Sequence, residues 1–274
     1  MGIVNQDYSI RCMWKNVGSI IFAVRMVPRE QHLATMSALY LIMKELSLKL
    51  TEPAILLVGE HYTSEFIDRL FLQFRQEFKF LWVTGKFKAG EASVVVLDQI
   101  RFNYPYAASQ SAGLVVFLDD DCLPTVKQML SVITGVGFRT GCIGLQETHY
   151  GDIKKMRGQP SFDQFCTAVP LWAVAKMASN KKFMNLLSLL NTGGELFAMD
   201  WFFRRTCGVM FNVVDSPIIH LFRPDKYKLW NALAQDSNKG VIGQSMYEQV
   251  NSCSSIDELR DLFIKLGRLG VVDE

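Results

Sequence analysis

The sequence is poor in the features that mark the simplest functional classes. Its six cysteines (Cys12, Cys122, Cys142, Cys166, Cys207, Cys253) are scattered, with no Cys-x-x-Cys pair. Neither a zinc site nor the disulfide framework of a small secreted domain is written into it, and reduced thiols in a cytosol-like compartment are the expectation. An excess of one charge is also lacking. Lys plus Arg number 29 and Asp plus Glu 27, for a formal charge of +2 and a pI near 8.2, too mild to mark a nucleic-acid or membrane-surface protein. No apolar run reaches the ~20 residues that span a bilayer. The opening stretch, MGIVNQDYSIRCMWK, has no apolar signal-peptide core, and Gln6 stands where a myristoylation motif has Ser or Thr. A cytoplasmic protein, or a soluble catalytic fragment of an anchored parent, is expected. Repeats, low-complexity tracts and convincing linkers are missing too.

What is present is apolar material: 49% of 274 residues, enough for one large core or two small ones. In the first half it alternates between two periods. Ser19 to Val24 is a short β-branched run, and Gln31 to Leu50 carries apolar residues at helical spacing. Pro53 opens AILLVG, a second buried strand, and Ser64 stands as N-cap of a second helix. Phe78 to Thr84 is a third strand. A less regular piece, Lys86 to Ala92, leads to VVVLDQIRFNYPYAASQSAG, helical in part, and then to LVVFLDDD at 114–121. Strands alternating with helices require crossover connections, hence an α/β fold with a largely parallel central sheet covered on both faces.

The second half is less regular. Thr125 to Ile133 reads as a helix, Cys142 to Gln146 as a short strand, Gly151 to Pro160 as a polar loop. The segment 160–176 is mixed and apolar; 180–190 and 195–208 are helical; 211–222 reads as strand, turn, strand. Ser255-Ile256-Asp257-Glu258 is a capping-box signal for a terminal amphipathic helix.

The stretch LVVFLDDDCLP runs an apolar strand into three carboxylates, Asp119, Asp120 and Asp121. Acids this close repel one another and lose hydration, so a positive partner is required, and a bound cation is the economical one. Ligands bind at the carboxyl ends of parallel strands, which is where these acids fall. Hard oxygen ligands suit Mn2+ or Mg2+.

In this setting, a DxD after the fourth strand of an alternating pattern, the sequence resembles nucleotide-sugar glycosyltransferases of the GT-A fold. It has sparse similarity to the N-acetylglucosaminyltransferase IV-like group, over roughly residues 19 to 225. The resemblance implies one GT-A-like catalytic domain over 1–274: a Rossmann-like nucleotide-sugar-binding half at about 19–121, an acceptor half at 122–227 and a C-terminal helical extension at 228–274. It implies a cation held by Asp121 and Asp119 against the donor diphosphate, with Asp120 toward the ribose or local structure. His220 in SPIIHLF would complete the metal site. Of the two acids in GGELFAMDWFF, Asp200 is preferred as the base on the acceptor hydroxyl, with Glu195 its rival. Pro28-Arg29-Glu30 and Glu60 would face the donor base and ribose, and Arg101 and Asn103 would supply further donor contacts. The second strand departs from the pattern, ending in Gly-Glu where many members have two Asp.

The donor implied is a nucleotide sugar, a UDP-sugar by the same resemblance; the acceptor is a glycan, a protein or a modified nucleic-acid base. Each residue also has a plainer reading. The acids could be a solvated strand end capping the next helix, His220 a core histidine, and Asp200 a helical ion pair with Arg204. Two other classes compete: a haloacid-dehalogenase-like phosphohydrolase, whose strand also ends in DxD but carries Thr, Val or Ser where Leu123 stands here, and an inactive glycosyltransferase-like binding module. Basic clusters at 154–157, 181–182, 204–205 and 223–228 could follow a phosphate backbone or be solvated faces.

Overall fold

The computed structural model describes residues 20–26, 32–49, 53–59, 72, 74, 76–84, 89–103, 113–119, 122–144, 166–191, 194–214, 216, 218–220, 248–267 and 269. The chain opens with β1 (Ile20–Met26), α1 (His32–Lys49), β2 (Pro53–Gly59), β3 (Lys79–Thr84), α2 (Ala89–Asn103) and β4 (Leu114–Asp119). Short β5 (Cys122–Leu123), α3 (Val126–Thr134), β6 (Thr140–Ile143) and β7 (Cys166–Pro170) follow. Next come α4 (Leu171–Ser179), α5 (Lys181–Ser188), α6 (Gly194–Trp201) with a π-helical turn at Phe202–Thr206, β8 (Met210–Val213), β9 (Ile219–His220) and α7 (Ile256–Lys265).

The main sheet has seven strands in the order β3-β2-β1-β4-β7-β6-β8. Pairs β1–β2, β2–β3, β1–β4 and β6–β8 are parallel, whereas β7 is antiparallel to both β4 and β6. The expected α/β fold with a largely parallel sheet is therefore present, with one reversed strand in it. Alternation along each strand sorts side chains between two cores. Val115 and Phe117 of β4, Ile143 of β6 and Val169 of β7 join a cluster with α2, α4, α5, α6 and α7. Leu114, Val116 and Leu118, with Cys142, Cys166 and Ala168, join the opposite cluster with α1 and α3. Burial on both faces is why β4 reads as a continuous apolar run, buried from Leu114 to Leu118.

Two elements differ from the sequence expectation. Lys86 to Ala92 was expected to be irregular, yet α2 begins at Ala89; Gly90 masks the pattern. A Cβ at Gly90 would lie 2.0 Å from the Leu187 carbonyl oxygen, so the close α2–α5 approach requires glycine. The mixed segment 160–176 contains β7 and α4 joined without a loop, Pro170 being both the last strand residue and the helix N-cap. A strand buried on both faces has the same apolar texture as the helix after it, so period alone does not separate them. The Ser64 helix start lies outside the described residues, although positions 72, 74, 76 and 77 are helical. No helix among the described residues is long and apolar enough to cross a membrane.

Candidate functional site

Strands β1 to β4 run in one direction, so Met26, Gly59, Thr84 and Asp119 close them on one edge of the sheet. Asp119, half-buried, is in register with Arg25. Asp120 and Asp121 lie outside the described residues, as do Pro28, Arg29, Glu30 and Glu60; β1 ends two positions before Pro28 and β2 one before Glu60. Among the described residues no three of His, Cys, Asp and Glu gather as a metal cluster.

His220 is brought to this edge by a feature the sequence did not announce. β5 and β9 form a separate antiparallel ladder in which Cys122 pairs with His220 and Leu123 with Ile219. The main chain of His220 thus lies opposite the residue that follows Asp121, across about a hundred residues of sequence. A capping box reinforces the arrangement. Thr125 accepts from the Gln128 backbone N–H at 3.2 Å and donates its own N–H to Gln128 Oε1 at 2.8 Å, starting α3 right after the acidic run. The Gln128 amide then donates to the Ser216 hydroxyl at 3.0 Å, fixing α3 to the approach of β9.

The two acids of α6 differ in place and partner. The Gly90 N–H donates to the Leu190 carbonyl at 3.2 Å, so the chain leading into α6 lies beside the start of α2, which follows β3 at the carboxyl edge. β8 runs parallel to β6 and hence in the direction of β4, so it starts at the amino edge. α6 and its π turn therefore descend from the carboxyl edge to the amino edge. Glu195, 1% exposed in the first turn, sits near the top, and Asp200 is about 7.5 Å further along the helix at 1.5 Å rise per residue.

Asp200 is also 1% exposed, and Arg204 Nε donates to both of its carboxylate oxygens, at 3.0 and 2.9 Å. The Arg204 guanidinium lies 5.1 Å from the centroid of Phe211. The helical ion pair of the plainer reading is thus present. Trp201 and the first two residues of the π turn, Phe202 and Phe203, are buried. Trp201 Nε1 donates to the Cys253 carbonyl at 2.9 Å, Phe202 packs on Phe183 at 4.5 Å, and Phe203 meets Phe211 at 6.1 Å.

Arg101 and Asn103 lie on the last turn of α2. The crossover from β3 to β4 carries that turn toward the amino edge, away from Asp119. Arg101 Nη1 lies 3.5 Å from the Ala178 carbonyl and Asn103 Nδ2 donates to the Gln99 carbonyl at 2.8 Å. The basic clusters are partly engaged by groups of the same chain. Arg204 holds Asp200, Arg205 Nε donates to the Asn251 carbonyl at 3.1 Å, and Lys182 pairs with Asp257.

The sequence matches no protein-family model and no curated protein. Solved structures do match. A mannosyltransferase from Pyrobaculum calidifontis, in complex with GDP-Man and Mn2+, superposes with TM-score 0.53 at 11% identity, over 97% of this chain and 85% of that one. The 4-diphosphocytidyl-2C-methyl-D-erythritol synthase of Anaerococcus prevotii gives 0.51 at 13% identity, over 82% of this chain and 99% of that one. GalNAc-T7 with UDP, GalNAc and Mn2+ gives 0.50 at 11%, over 76% of this chain and 45% of that one. The fold is GT-A-like. Identities this low show the architecture alone, and within a GT-A-like fold the carboxyl edge carrying Asp119 is the edge where a ligand is expected.

Proposed function

We propose that this protein is a metal-dependent glycosyltransferase that moves a sugar from a nucleotide-sugar donor to an acceptor hydroxyl. The observation that carries the reading is the β5–β9 ladder, which sets His220 opposite Cys122 at the end of the strand bearing Asp119. A strand-end acidic run needs a cation, and a histidine brought to it over so long a stretch of sequence has a reason to be there. The same-fold mannosyltransferase and GalNAc-T7 structures hold Mn2+ with a nucleotide or nucleotide sugar, which supports the reading.

Asp119, Asp121 and His220 would hold the ion; two carboxylates and an imidazole suit Mn2+ better than Mg2+. When bound, the cation supplies charge neutralisation on the departing diphosphate. The donor is a UDP-sugar in this reading, and Pro28, Arg29, Glu30, Glu60 and Asp120 are its candidate contacts. Arg101 and Asn103, toward the opposite edge, become secondary candidates. The proton acceptor is assigned to Glu195, because it stands near the carboxyl edge, whereas Asp200 is held by Arg204 lower on the same helix. The phosphohydrolase reading weakens because three strands precede the acidic one, where that class carries its motif on the first.

A thermal-shift and calorimetric screen of UDP- and GDP-sugars with and without Mn2+ tests the proposal. Metal-dependent donor binding is expected, with Asp121→Ala abolishing it and Glu195→Gln keeping it while transfer falls about 100-fold or more. Phosphate release from a monoester would favour the hydrolase, and binding without any turnover the inactive module. Asp200→Asn abolishing transfer in a protein as stable as wild type would return the base role to Asp200.

A further inference from the structure

Thr167 is 0% exposed in the middle of β7, and its hydroxyl makes no hydrogen bond among the described residues. A buried hydroxyl without a partner costs stability relative to a valine of the same shape, so it calls for an explanation. Its rung partners, Phe117 on β4 and Ile143 on β6, have no side-chain acceptor to offer.

Register and alternation say what lies nearby. Thr167 is directly opposite Phe117, and Asp119 is two positions further along β4. Side chains two apart on a strand share a face. Phe117, Val115, Val169 and Ile143 belong to one cluster, so Thr167 and Asp119 both belong to that same face. Diagonal neighbours on one face of an antiparallel pair are about 7–8 Å apart at the backbone and somewhat closer at Cβ, a gap that a carboxylate and a hydroxyl leaning toward each other close with one hydrogen bond. It is also the face that buries α6 and Glu195. The unsatisfied donor thus sits two rungs below the acid that ends β4, at the next position on the same face.

We propose that Thr167 is a positioning residue for the cation site. When the Asp119 carboxylate turns onto a divalent ion, the Thr167 hydroxyl donates to the carboxylate oxygen that is not on the metal. The inference rests on the metal-site reading above and deepens it. Carboxylates that ligate metals are themselves held by hydrogen bonds, which fix their orientation and so raise affinity. A neutral donor suits this place, because a lysine there would cancel the charge the ion needs. Full burial keeps water from competing for the bond. The same threonine then carries a cost in the metal-free fold that binding relieves.

Free Mn2+ measured by electron paramagnetic resonance, with UDP present and absent, tests this on full-length wild type, Thr167→Val, Thr167→Ser and Asp119→Ala. Thr167→Val is expected to bind Mn2+ roughly 10-fold or more weakly, while its melting temperature without metal is unchanged or rises by roughly 2–4 °C. Thr167→Ser should stay within about two-fold of wild type, because it keeps the donor. Wild-type affinity in Thr167→Val, alongside lost binding in Asp119→Ala, overturns the Thr167 role and leaves the metal site standing. Equal losses of affinity and melting temperature in both the Val and Ser variants overturn it as well, marking a packing role. No Mn2+ binding by wild type would remove the metal site itself, and this inference with it.

Discussion

Cys142 and Cys207 lie in the cores on opposite faces of the sheet, and burial pushes their thiols up, to about 11 and about 12. The five described cysteines are all free and buried, in keeping with the reduced, unpaired thiols expected from their spacing. A raised acid pKa stabilises the fold fully below the unfolded value. Between 9.0 and about 12 the unfolded Cys207 loses a proton that the folded one keeps, so stability falls across that window. Urea midpoints from neutral pH to about 11 should show a shallower alkaline decline in Cys207→Ala than in wild type; parallel declines would refute the linkage. At this scale the acids Asp119, Glu195 and Asp200 were legible as candidates, because charge stands out in an apolar run. Thr167 was not. A β-branched residue in a strand looks like filler, and only register reveals that it shares a face with Asp119.

Helix ends were legible because capping is local chemistry. Half of the expected box at Ser255 is formed: the Ser255 hydroxyl accepts from the Glu258 N–H at 3.2 Å, while the Glu258 carboxylate accepts from Ser254 instead of from the Ser255 N–H. The Glu258 carboxyl lies below its ordinary value because the Ser254 N–H and hydroxyl donate to it. A helix was expected from Thr125, and Thr125 proves to be its N-cap, where the plainer reading had the acids before it as the cap; the reach of Gln128 to Ser216 belongs to the tertiary fold. Gln128→Ala removes that reach along with half of the capping box. It should speed amide exchange in the β5–β9 ladder roughly 5-fold or more, for the loss of about 1 kcal/mol of local stability. Exchange by mass spectrometry on peptides spanning Cys122 and His220 checks this; unchanged protection would mean the ladder stands without α3. The π turn after α6 was invisible in the sequence; Trp201, Phe202 and Phe203 around it meet Cys253, Phe183 and Phe211, all distant or non-periodic partners.

Across the whole molecule, the C-terminal helical piece is tied to the helices beside the site. Leu259 and Phe263 are 0% exposed within the same core as α5 and α6, and each contributes about 1.5–3 kcal/mol by burial. Trp201 and Arg205 donate to carbonyls of Cys253 and Asn251, and Leu269 bridges to Leu190 just ahead of α6. A chain ending at residue 247 should therefore lose cooperative thermal unfolding and aggregate, since those losses approach the whole stability of a typical domain. A truncated chain melting within roughly 3 °C of wild type would contradict this coupling.

By itself the sequence determined the alternating first half, the strand that ends in Asp119 and the starts of α3 and α7, because period, composition and capping act over a few residues. Only the tertiary structure decided that β7 runs backwards between β4 and β6, that His220 pairs with Cys122, and that Asp200 is held by Arg204 while the chain leading to Glu195 lies beside the start of α2. Those outcomes depend on strand pairing and burial between segments tens of residues apart, which no local pattern encodes.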